Sequence, residues 1–92
     1  MLHKALLQNA KRREFMKFTF ENGKYEVEYL VSENVKENQP TYGILAKSNY
    51  GKEARLDNIF FTPEEALQRC QWLVENEVLP EIFRDVMENI MF

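Results

Sequence analysis

Histidine and cysteine are almost missing from this 92-residue chain, which has one of each, His3 and Cys70. A single cysteine excludes an intramolecular disulfide, and one residue of each type leaves no four-ligand zinc set. His3 sits in the N-terminal segment, so no Cys–His or Ser–His catalytic pair is expected. The three glycines, Gly23, Gly43 and Gly51, fall at turn or strand positions and form neither a phosphate loop nor a dinucleotide fingerprint. No apolar run approaches the roughly 20 residues needed to cross a bilayer. The first residues lack the apolar stretch and cleavage site of a signal peptide. The expectation is a non-enzymatic protein of the reducing cytoplasm, with no catalytic residue, metal or cofactor and no membrane contact.

What is present is a core. Hydrophobic residues make up 45% of the chain and aromatics 13%, which argues against general disorder and for one domain. The decisive stretch is Ile59-Phe60-Phe61-Thr62-Pro63-Glu64-Glu65. Before it, apolar residues tend to alternate with polar ones. After it, they recur three and four residues apart, so strands precede helices. Thr62 with Glu65 reads as a capping box, and Pro63 at the first helical position has no N–H to leave unpaired.

Residues 2–13 contain good helix formers without an N-cap and are expected to form a short helix or a basic arm, 1–13, ahead of a single domain over 14–92. Met16, Phe18 and Phe20 alternate along a first strand. Asn22-Gly23 is a hairpin signal, and Tyr25, Val27, Tyr29 and Val31 alternate along a second strand. The polar stretch from Ser32 to Pro40 reads as a loop. Thr41 to Lys47 forms a third strand, and Asn49-Tyr50-Gly51 turns the chain back. In the fourth strand, Ala54 and Leu56 point one way while Ile59 and Phe61 point the other. A bulge near Asp57-Asn58 would bury both pairs, though a polar site is an alternative for those two residues.

The first helix, from Pro63 to about Asn76, carries Ala66, Leu67, Cys70, Leu73 and Val74 on one stripe. Val78-Leu79-Pro80 interrupts it, and a second helix presents Ile82, Phe83, Val86, Met87, Ile90 and Met91. The expected fold is α+β: an antiparallel meander of three to four strands over 14–61, then two helices over 63–92 packed on one face. Glu81, Asp85 and Glu88 form carboxylate pairs at helical spacing, on the side expected to face water. The apolar end Ile90-Met91-Phe92 and the off-stripe Trp72 are candidates for an interface, together with Phe83 and Met87.

Charge is unevenly placed. Lys4, Lys11, Arg12, Arg13 and Lys17 stand against Glu14 alone in residues 1–17, giving +4 within a net charge of −3. The helical region 63–92 holds seven acids against Arg69 and Arg84. The favoured expectation is a protein-interaction module, with a homodimer among its forms. The alternative is a nucleic-acid-associated regulator that contacts phosphate through Lys4, Lys11, Arg12 and Arg13. The acidic body opposes that alternative. A ligand pocket lined by Tyr25, Tyr29 and Tyr42 is a third reading.

Tyr42-Gly43-Ile44, Asp57-Asn58-Ile59, Thr62-Pro63 and the run from Leu79 to Glu88 occur in that order. Over residues 41–90 the chain resembles a small family of uncharacterised proteins of clostridia and related Firmicutes. The resemblance implies a bacterial cytoplasmic setting and a strands-then-two-helices unit. It carries no activity, cofactor or site residue onto this chain.

Overall fold

The computed structural model describes the backbone over residues 10–91, with side chains at 14 and 16–90. Four strands and two helices follow one another: β1 (Ala10–Asn22), β2 (Tyr25–Lys36), β3 (Gln39–Ser48), β4 (Glu53–Phe60), α1 (Pro63–Glu75) and α2 (Pro80–Met91). The strands form one antiparallel sheet in the order β1-β2-β3-β4, and the helices cover one face. This is the α+β meander that the change of period predicts.

The core follows from strand alternation. Val27, Tyr29 and Val31 of β2 and Tyr42, Ile44 and Ala46 of β3 are buried beneath Ala66, Cys70 and Leu73 of α1 and Phe83 and Met87 of α2. The Tyr29 ring meets Phe83 edge-on at 5.7 Å, a favoured aromatic geometry. Its hydroxyl donates to the Val78 carbonyl between the helices, so its polar end is satisfied inside the core. The helical stripe of α2 is narrower than the sequence suggests. Phe83 and Met87 are buried and Val86 is partly so, whereas Ile82 and Ile90 are exposed.

Thr62 caps α1 as expected. Its hydroxyl accepts from the Glu65 N–H at 3.3 Å and donates to the Glu65 carboxylate at 3.2 Å. At the other end, Glu77 has a φ of 50°. The Glu77 N–H bonds the Val74 carbonyl and the Val78 N–H bonds that of Leu73, each at 3.0 Å. That pattern closes a helix in a Schellman turn.

Several expectations are corrected. Ala10 to Arg13 belong to β1 rather than to a helix, pairing with Lys36 back to Glu33. A short uncapped helix gives way where a neighbouring strand offers backbone partners. Residues 1–9 lie outside those described. The presumed loop from Ser32 to Pro40 is the rest of β2, a two-residue turn at Glu37-Asn38, and the start of β3. Both turn residues have positive φ, 54° and 64°, as a type I′ turn requires. Lys36 to Pro40 are exposed, so that tip needs no apolar alternation and gave the sequence none to show. The first hairpin turns on Gly23-Lys24, not Asn22-Gly23, since Asn22 still pairs with Tyr25. Gly23, with φ 62°, takes the first central position of a type II′ turn.

The predicted bulge is present, with a different consequence. Tyr42 pairs with Phe60 and Ile44 with Leu56, so Asp57, Asn58 and Ile59 together oppose Gly43 alone. Two residues are extra, an even number, so the alternation resumes in its old phase. Phe60, not Phe61, therefore turns into the core, and Phe61 is left 80% exposed.

Candidate docking site at the open sheet edge

A four-stranded open sheet has two edges, and here they differ. The β4 edge is short, eight residues, and broken by the bulge, where Asn58 has a φ of 60°. Asn58 Oδ1 accepts hydrogen bonds from Thr41 Oγ1 and from Asn34 Nδ2, which pins the bulge to the two preceding strands. These contacts give Asp57-Asn58 a structural role. α2 packs beside β4, and Arg84 Nη1 donates to the Arg55 carbonyl at 3.5 Å. A bulge, a covering helix and a side-chain donor all discourage strand addition.

The β1 edge runs for 13 residues with β2 on one side and, among the described residues, no strand on the other. Its one interruption is Met16, an extra residue between the Phe15–Val31 and Lys17–Leu30 pairs. Met16 has a φ of 59° and is 52% exposed. It divides β1 into two regularly paired segments. Beyond Met16, the last residues of β1 are anchored, as Asn22 Nδ2 donates to Glu77 Oε1 at 3.1 Å.

Charges on the face away from the helices are arranged unevenly. Lys17 pairs with Glu28 at 3.7 Å, and Arg55 contacts Glu14 at 3.7 Å and Asp57 at 3.5 Å. Leu45, paired with Leu30 on one side and Arg55 on the other, is only 3% exposed although it lies outside the helix-covered core cluster. Toward the end of β1 the balance fails. Glu21 stands directly opposite Glu26, both exposed, and neither makes an ion pair with a described residue. Like charges directly opposite one another in a sheet are destabilising. Glu77 adds a third carboxylate beside the same strand end.

The sequence-derived candidates divide. Phe83 and Met87 are fully buried within the chain and have no surface to offer a partner, so they are corrected to core residues. Trp72 is half-buried against the core, with the Arg69 guanidinium 5.9 Å from its ring centroid. Met91 closes α2 in the backbone, and Phe92 and Lys4 lie outside the described residues. Lys11, Arg12 and Arg13 occupy successive positions of β1. The sequence reading missed the edge itself, because the strand content of Ala10–Arg13 is visible only once β2 is seen to reach Lys36.

Cys70 is sealed in the core, where burial pushes its thiol up to about 12. Tyr29 and Tyr42 are core residues that donate to Val78 O and Glu33 Oε2, whereas Tyr25 is exposed and packs on Tyr50 at 5.0 Å. The three tyrosines thus line no common pocket. Burial and a 2.8 Å hydrogen bond to Glu81 push the Tyr50 hydroxyl up to about 12. A shallow cavity of about 500 Å3 lies between the end of β4 and α1, lined by Ile59, Phe60, Phe61, Glu65, Gln68 and Arg69. No group of metal-ligating side chains occurs among the described residues. Nor is any described helix long and apolar enough to cross a membrane.

Comparison with protein-family models, curated proteins and solved structures finds no match for this chain.

Proposed function

We propose that this is a small non-enzymatic interaction module of the bacterial cytoplasm, and that it docks a protein strand along β1. The observation that carries the reading is the contrast between the edges. β4 is short, bulged and capped by Arg84, whereas β1 is long and, among the described residues, has no strand on its outer side. An incoming strand can take up main-chain donors and acceptors along such an edge, with side chains setting specificity. The binding reading also draws on the burial of Cys70, which keeps the one thiol from any substrate.

Site-specific photo-crosslinking tests it. A photoreactive phenylalanine analogue replaces Thr19 on β1 in one variant and Glu53 on β4 in another, each expressed in the native host. The expectation is a discrete crosslinked protein species from position 19 and none from position 53. Crosslinks from position 53 alone, or from neither position, would contradict docking at β1.

A further inference from the structure

We infer that the strand received by β1 is β1 of a second copy, paired antiparallel about a two-fold axis near Met16. The two meanders then join as one continuous eight-stranded sheet. This rests on the reading of β1 as the docking edge and names its partner.

Charge favours this pairing. β1 is basic in its first half, with Lys11, Arg12 and Arg13, and meets acids at its far end, with Glu21, Glu26 and Glu77. Parallel addition of a second copy would set like against like. Antiparallel addition sets each basic half against the partner's acidic end, and an isologous contact makes this match twice. In the register that places Arg12 opposite Glu21, Arg13 faces Phe20, Glu14 faces Thr19 and Phe15 faces Phe18. Paired residues in such a ladder stand about 4.5–5.5 Å apart, close enough for a cation to offset the Glu21–Glu26 opposition.

The bulge at Met16 fits the same pairing. A bulge in an edge strand ordinarily discourages pairing. In this register Met16 of one copy lies beside Lys17 of the other, so both bulges fall at the axis. The segment before each bulge then pairs with the segment after the other. Met16, half exposed in the single chain, is covered at the centre of the contact. The pairing also closes the assembly. With β1 paired to its twin, the remaining edges of the joined sheet are the two β4 strands, each with its bulge and its Arg84 donor. Self-association therefore stops at two copies. An edge contact of this size belongs to the weaker class of interfaces, so the dimer is expected to be concentration-dependent.

Two complementary variants of the full chain test this, with mass read by analytical ultracentrifugation. Glu21→Lys sets a cation against the partner's basic half. Lys11→Glu with Arg12→Glu sets acids against the partner's Glu21. Each variant alone is expected to dimerise at least about tenfold more weakly than the parent, because both contacts become repulsive. Mixed one to one, they form a heterodimer in which both contacts are complementary again. Dimer strength restored to the parent's level shows that both variants are folded and that the pairing is antiparallel. A parent that stays monomeric throughout, or variants that dimerise undiminished, would overturn the inference. Monomeric protein together with a crosslink from position 19 to a different protein would leave the docking edge standing and assign it another partner.

Discussion

Replacing Gly43 with alanine is expected to destabilise the protein by about 3–5 kcal/mol, a large part of what a domain of this size possesses. The reason lies in the backbone of the neighbouring strand. Where β4 bulges, the chain folds into the space that a side chain at position 43 would fill. A Cβ there would lie 2.8 Å from Asp57 Cα and closer still to the Leu56 carbonyl oxygen. Both are backbone atoms, so no side-chain rotation relieves the clash, and the strands must part. Parting them dislodges the Ile44–Leu56 and Tyr42–Phe60 pairs, whose side chains belong to the core or pack against it. Urea denaturation of Gly43→Ala beside Gly23→Ala is the check. Gly23 has a φ of 62° but nothing within 4 Å of an added Cβ, so its substitution carries only the local backbone cost of about 1 kcal/mol. Equal losses at the two positions would mean that the bulge does not depend on a bare position 43.

Phe83→Ala is expected to cost a similar amount, about 3–5 kcal/mol. Phe83 is fully buried, and its ring packs against Tyr29 at 5.7 Å. Truncation leaves a cavity between α2 and the sheet, and Tyr29 loses the neighbour that holds its hydroxyl on Val78. The prediction separates the two roles open to this residue. As a core residue, Phe83 lowers the urea midpoint by the same amount at every protein concentration. An interface residue would leave the dilute monomer unchanged and weaken only the assembly. A near-parental midpoint in dilute Phe83→Ala would return the residue to the surface.

These two residues also mark what the sequence could and could not reveal. Phe83 falls on an apolar helical stripe, and helical period alone places it toward the sheet. Period cannot say whether a stripe is covered by the same chain or by another, so the same residue also read as a candidate interface. The bulge at Asp57-Asn58 was legible as a conflict of phase in β4. Its size was not, because one extra residue and two fit the apolar pattern differently only at Phe60 and Phe61. Gly43 gave no sign of its role, since the close approach comes from a strand 13 residues further on. The hairpin at Glu37-Asn38 was hidden for another reason. Its tip meets water, and Glu37 is not a residue that announces a positive φ. The candidate site was the least legible element, because an open edge is a property of the assembled sheet and of no single segment.

Amide hydrogen exchange, read strand by strand as protein concentration is raised, shows whether β1 is the edge that receives a second copy. The β1 amides between Arg12 and Glu21 that point away from β2 should exchange readily in dilute protein and become protected as concentration rises, whereas those already bonded to β2 should change little. Those of β4 should stay unchanged. Protection that appears in β4 or the helices, with β1 indifferent to concentration, would contradict pairing at β1.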